Sequence, residues 1–158
     1  MKKIFFSLWV FISLTAISCK DTIEDVHFME FKNVELGAKS VNDFVIKGDC
    51  MLYNPNSFSV ELSQASLDVF INDRKAGSIS QTLNAQMESS STFALPVEIK
   101  VQAADFYGTN GRGALSTAVD MFLTKKARVT YSGSVIASKG IFNMQVPVID
   151  SLVAPIKF

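Results

Sequence analysis

The chain has 158 residues, the size of one domain, and its 15 basic and 15 acidic side chains balance to a formal charge of zero. That balance leaves no electrostatic basis for nucleic acid as a partner, which needs a surplus of Lys and Arg against phosphate. Hydrophobic residues reach 48%, and part of that excess is concentrated at the start of the chain.

Met1-Lys2-Lys3 forms a short positive leader, and Ile4 to Ile17 then runs fourteen residues without a charge. Such a run is shorter than the ~20 residues a permanent membrane-spanning helix needs. The expectation is an export signal over residues 1–18, outside the folded domain. Ala16-Ile17-Ser18-Cys19 resembles the bacterial lipobox, in which the chain is cut before a cysteine that carries a diacylglycerol, although alanine stands where leucine is usual. The alternative is an ordinary secretory signal followed by an incidental cysteine. On the lipobox reading, Cys19 is the lipid-attachment residue and the membrane is a partner through it. Each buried acyl methylene contributes roughly 0.8 kcal/mol, so several chains on one residue hold firmly. Loss of Lys2 and Lys3 with the signal leaves 13 basic against 15 acidic side chains, a formal charge of −2. If Cys19 is acylated, Cys50 has no intramolecular disulfide partner and packing must supply the stability. Cys50 reads as a small buried apolar residue on a strand face.

Residues 19–29, with Lys20-Asp21-Thr22-Ile23-Glu24-Asp25 after the cysteine, read as a flexible tether. That tract also resembles the lysine-and-acid segment some Bacteroidetes lipoproteins carry for surface display. Residues 30–158 form the predicted domain, in which the dominant period is two. Phe31, Val34, Leu36 and Ala38 fit a strand with a phase shift, the mark of a bulge. Phe44, Ile46, Cys50 and Leu52 share a face with Gly48 between them. Asn54-Pro55-Asn56 then interrupts the alternation, and Phe58-Ser59-Val60-Glu61-Leu62 resumes it.

Asparagine bonds back to the backbone and tolerates unusual dihedrals, while proline fixes φ and removes a donor. Asn54, Pro55 and Asn56 therefore read as a structural corner where the chain leaves one strand and rejoins a sheet. Leu67, Val69 and Ile71 make the next face, and Asn72 to Gly77 turns the chain. Phe93, Leu95, Val97, Ile99 and Val101 form a five-step face in which Pro96 argues for an edge position or a bulge. Gln102 to Tyr107 fits a helical turn and Ala114 to Lys126 a helix, with Leu115, Ala118, Val119 and Phe122 at helical spacing. Val129, Tyr131, Gly133 and Val135, a turn at Ala137 to Gly140, and Phe142, Met144, Val146 and Val148 complete the pattern. About seven strands with one helix predict a mainly β fold, a two-sheet sandwich with the helix over one opening.

Leu52-Tyr53-Asn54-Pro55-Asn56-Ser57-Phe58, Leu67-Asp68-Val69-Phe70-Ile71-Asn72, Lys75-Ala76-Gly77 and Ser91-Thr92-Phe93-Ala94-Leu95-Pro96-Val97 have a collective likeness. With Val129 to Val135 and Met144 to Val148, they resemble the late embryogenesis abundant type 2 family, also called the water stress and hypersensitive response domain. The resemblance covers roughly residues 30 to 150. It implies an immunoglobulin- or fibronectin-like antiparallel sandwich with a helix between later strands, and it brings no catalytic residues. The chain lacks the second proline such members place just after Asn56.

Nothing in the sequence demands a reaction centre. Gly108-Thr109-Asn110-Gly111-Arg112-Gly113 lacks the spacing and the lysine of a phosphate loop and reads as a loop. His27 is the only histidine, so no metal set forms around it. Ser89-Ser90-Ser91 has no nucleophile elbow, and Asp43 and Asp49 form no demanded pair. The sequence thus leads to a non-enzymatic module without cofactors, lipid-anchored to the outer membrane and facing the periplasm or the exterior. Its expected role is binding or structural support, with a link to osmotic or desiccation stress. An alternative is an assembly module that receives an envelope protein at a strand edge or through Phe70 and Met51. Another is a carrier of lipid or a small ligand, with its cavity beneath the helix of residues 114–126.

Overall fold

A computed structural model describes residues 23–38, 43–102, 121 and 123–157 of the chain. Seven strands run in chain order: β1 (His27–Ala38), β2 (Asp43–Asn54), β3 (Val60–Ile71), β4 (Arg74–Met87), β5 (Ser91–Gln102), β6 (Lys126–Lys139) and β7 (Phe142–Lys157). Alternation does what it must on a pleated surface. Phe44, Ile46, Cys50 and Leu52 face inward, as do Leu67, Val69 and Ile71, and Leu95, Val97, Ile99 and Val101. The expected bulge in β1 is present: its register to β2 slips between Lys32 and Glu35, where Asn33 takes φ 53°.

Several boundaries differ from expectation. Val60–Leu62 and Leu67–Ile71 are one strand, carried across a bulge between Leu62 and Gln64. The turn after Ile71 shrinks to Asn72 and Asp73, both at positive φ (47° and 66°), as a type I′ hairpin requires. Residues 74–87 are then a full strand. The last hairpin turns only at Gly140 and Ile141, because β6 stays paired through Lys139↔Phe142. Phe142 consequently stands exposed at the tip instead of facing the core. Folded structure also begins earlier than residue 30, since Val26 is buried and β1 starts at His27.

The strands form a single sheet in the order β4-β3-β6-β7-β1-β2-β5, bent into a nearly closed barrel. Two separate antiparallel sheets of an immunoglobulin- or fibronectin-like sandwich are therefore not what this chain builds. The reason lies in β7, sixteen residues long, which pairs antiparallel with β6 along its length. At its end it also pairs parallel with β1, at Leu36↔Ile156 and Gly37↔Lys157. One strand thus carries the sheet from one wall to the other. Where β1 and β7 part, the Asp150 carboxylate accepts a hydrogen bond from the Phe31 N–H at 3.0 Å. At the remaining seam β4 and β5 lie against each other, with the Ile99 side chain over Gly77. Pro96 lies in β5, an edge strand that pairs only with β2.

The helix expected over residues 114–126 falls mostly outside the described residues. At its C-terminal end Met121, Leu123 and Thr124 have helical backbone, and Lys125 N–H donates to the Met121 carbonyl at 2.9 Å. Lys125 then turns to φ 53°, and Lys126 belongs to β6, not to a helix. Gln102 likewise belongs to β5, and the rest of the helical turn expected there is not among the described residues.

Inside, the Phe31 and Tyr131 rings stack across the barrel with centroids 3.8 Å apart and planes 14° from parallel. Such contacts contribute about 0.5–1.5 kcal/mol beyond burial itself. Gly133 of β6 lies opposite Leu67 of β3, with no room for a side chain between the strands. A methyl group there would lie 2.1 Å from the Ser66 carbonyl oxygen and 2.8 Å from the Leu67 Cα, so the backbone must move. Gly133→Ala is expected to lower stability by about 1–3 kcal/mol in urea unfolding. Gly37→Ala, whose new Cβ would meet only the Val45 carbonyl oxygen at 3.7 Å, is expected to change it far less.

Candidate functional site

The polar residues buried in this barrel are Asn54 and Asn56, at 0% and 4% exposure among the described residues. Asn54 is the last residue of β2, and the proline after it holds its backbone extended and ends the ladder. A buried amide must satisfy two donors and an acceptor oxygen with two lone pairs. Asn54 meets all four. Its Nδ2 donates to the Phe58 carbonyl at 2.8 Å and to the Glu88 carbonyl at 2.9 Å. Its Oδ1 accepts from the Asn56 backbone N–H at 3.1 Å and from Asn56 Nδ2 at 2.9 Å.

Asn56 carries the network outward to the N-terminal segment. Its Oδ1 accepts from the Glu24 N–H and its Nδ2 donates to the Glu24 carbonyl, both at 2.8 Å. One side-chain amide thereby imitates a strand neighbour for the residue before Asp25. The Asn56 carbonyl accepts from the Ser90 N–H at 2.9 Å, and Ser90 sits at φ 48° in the arch between β4 and β5. Ser91 Oγ donates to the Glu88 carbonyl at 2.8 Å and closes that arch. The corner therefore joins the incoming N-terminal segment, the β2–β3 connection and the β4–β5 arch.

Strand registers place all of these at one end of the barrel. His27 pairs with Tyr53, Asn54 with Ser91, Val60 with Met87, and Glu61 with Ser138. The β6–β7 turn lies at that same end. The β3–β4 hairpin, Gln102 and Lys157 lie at the other.

Of the site residues expected from sequence, Asn54, Pro55 and Asn56 are together here, and Cys19 lies outside the described residues. Sequence reasoning did not reach the partners Glu24, Phe58, Glu88 and Ser90. All four act through main-chain carbonyl or amide groups, which leave no side-chain signature. Other candidates are not gathered. His27 is exposed at the start of β1, Asp49 accepts from Asn33 Nδ2 at 2.7 Å, and residues 108–113 lie outside the described residues. Among the described residues no three of His, Cys, Asp or Glu converge in a way that could hold a metal. Two open grooves lie among the described residues. One, of about 320 Å³, follows Glu61–Ser63 and Leu83–Gln86 at the β3 bulge. The other, of about 480 Å³, spans Lys47–Asp49 and Pro96–Glu98.

Two titratable groups are buried away from the corner. Burial pushes the Cys50 thiol up from 9.0 to about 12, with a smaller push from the Asp150 carboxylate. Burial, then the nearby Cys50 and Asp150, also raises the Tyr131 hydroxyl. The Tyr131 hydroxyl has no hydrogen-bond partner among the described residues. Cys50 is therefore a protonated, apolar-like filler and a poor nucleophile.

The family model for late embryogenesis abundant protein matches residues 50–151. The chain belongs to that family. No curated protein sequence matches. Among solved structures, a solution structure of an Arabidopsis thaliana protein is similar with a TM-score of 0.65 at 13% identity. That likeness covers 87% of this chain and 89% of the other. A crystal structure of an Archaeoglobus fulgidus protein is similar with a TM-score of 0.52 at 10% identity, over 83% of this chain and 98% of that one. At these identities the likeness is one of fold.

Asn54→Asp keeps the size of the side chain but sets a carboxylate oxygen against two carbonyls. It is expected to cost about 3 kcal/mol or more by urea unfolding, well beyond the cost of Ser57→Ala on the exposed side of the corner. Alkali gives a second test. Cys50 and Tyr131 hold their protons more tightly folded than unfolded, so their contribution is complete below about pH 9 and is lost as pH rises toward 12. Stability measured from pH 8 to 12 should fall across that window, and Cys50→Ala should make the fall shallower.

Proposed function

We propose that this chain is a non-enzymatic bacterial lipoprotein module, held to the outer membrane through Cys19, that binds or supports other envelope components under osmotic or desiccation stress. Membership in the late embryogenesis abundant family supports the stress connection. The observation that carries the anchored reading is the reciprocal pairing of Glu24 with Asn56. It fixes where the chain leaves the barrel toward Cys19, so a lipid on that cysteine would hold the domain by a defined end. The non-enzymatic reading draws support from how the buried amides are used. Their hydrogen-bonding capacity is directed at one another and at main-chain groups, leaving little for a substrate.

A second reading is an assembly module that takes a partner along β7. One observation favours it: β1 and β7 are paired only near Leu36 and Gly37, while Ile149 and Val153 stand 71% and 61% exposed on β7. Crosslinking through β7 followed by mass spectrometry separates the readings, because an envelope partner enriched reproducibly at those positions favours assembly. The anchor is tested by metabolic labelling with a clickable palmitate. Wild type is expected to label and Cys19→Ala to lose the label; equal labelling of both would contradict the proposal. A strain lacking the chain should recover less well from drying or hyperosmotic shock, and Cys19→Ala should not restore it.

A further inference from the structure

We infer that the β6–β7 turn is a membrane-contact element, which places Ile141 and Phe142 in the interface of a zwitterionic lipid bilayer while the lipid on Cys19 holds the chain there. This inference rests on the anchored reading and adds an orientation to it. The turn is tight, with Gly140 at φ 59° and Lys139 paired to Phe142. Its tip is not polar, as turns facing water ordinarily are. Ile141 is 90% exposed and Phe142 55%, side by side in sequence at the outermost point of the hairpin.

Position turns that apolar tip into a membrane element. It lies at the same end as the Asn54–Asn56 corner, since Glu61 pairs with Ser138 and the Lys139 ammonium sits 5.4 Å from the centre of the Phe58 ring. Ile23, itself 36% exposed, leaves the barrel from that end, pinned next to it by the Glu24–Asn56 pair. From Cys19 to Ile23 the chain reaches at most about 14 Å, whatever path it takes. A lipid on Cys19 therefore keeps this end, and not the opposite one, within reach of the bilayer surface. Around the tip, Lys139 faces outward, but Glu24, Asp25, Glu61 and Glu88 are also exposed. That acidic rim disfavours anionic headgroups and leaves apolar insertion into a neutral surface as the driving term.

The mature chain holds no tryptophan, because Trp9 lies in the signal segment. Phe142→Trp thus provides a single reporter at the tip, and Asp73→Trp a matching reporter at the far hairpin. The lipidated protein is reconstituted into vesicles of phosphatidylcholine and phosphatidylethanolamine with brominated acyl chains, and lipid on Cys19 is checked by intact mass. The expected result is blue-shifted, strongly quenched emission for Phe142→Trp, and unshifted, unquenched emission for Asp73→Trp. Adding Ile141→Asp to the tip reporter should abolish the quenching. If Cys19 carries lipid but the tip reporter behaves like the far one, this inference is overturned and the anchor stands. If Cys19 carries no lipid, the anchored reading falls, and the same reporter titrated with free vesicles decides the tip alone: a blue shift upholds bilayer contact and its absence overturns it. Shielding that occurs in native envelope membranes but not in pure lipid assigns the tip to a protein and overturns the bilayer assignment.

Discussion

Two buried side-chain amides determine how this molecule is held together at one end. Asn54 and Asn56 touch each other and reach four separate pieces of backbone, those of Glu24, Phe58, Glu88 and Ser90. Within a low-dielectric interior each such bond is worth about 1 kcal/mol net, but each buried amide left unpaired costs about 1–3 kcal/mol. That asymmetry makes the network nearly all-or-none. Aspartate could not donate, serine could not reach, and an apolar residue at position 54 would strand the Phe58 and Glu88 carbonyls and the Asn56 N–H. The corner is a polar keystone in an otherwise apolar barrel.

The same corner links architecture to orientation. β7 joins the two walls of the sheet by pairing with β6 along its length and with β1 at its tip. That closes the far end, where Leu36 and Gly37 meet Ile156 and Lys157. At the near end β1 and β7 separate, and cohesion passes to Asp150 on the Phe31 amide and to the asparagine pair. The N-terminal segment is therefore fastened where the sheet's own ladder is weakest. An anchor applied through that segment would pull on a stitched end, with its load shared by β2, β3 and the β4–β5 arch. The proposed envelope role and the proposed membrane contact of Ile141 and Phe142 both follow from that placement.

Much of this was legible in the sequence, where one chemical signal dominated. Alternation marked the inward faces of β2, β3, β5 and β6 because each has one dry side and one wet side. It failed on β4, where Ser78, Ser80, Gln81, Thr82 and Asn84 outnumber Ile79 and Leu83, so little apolar surface announces the strand. It ended β7 too soon, since Pro147 and Pro155 interrupt a run that the ladder to β6 nonetheless holds. It also drew Phe142 inward, by extending a period across a turn that the chain makes in two residues. Closure of the sheet was hidden, because it depends on which neighbours β7 finds and not on what β7 is made of. The corner was visible as a residue type, asparagine either side of proline. Its purpose was not, because its partners are peptide groups up to 34 positions away.

The central claim is that the Asn54 and Asn56 amides are locked into the folded barrel. Native-state hydrogen exchange of their side-chain NH₂ groups, followed by NMR against the backbone amides of Leu52 and Val60, tests it most directly. The account predicts that the Asn54 Nδ2 protons exchange as slowly as those core amides, through global unfolding, with the Glu24 amide protected alongside Asn56. Exchange of the Asn54 Nδ2 protons at the rate of a free side chain, while Leu52 and Val60 stay protected, would contradict it.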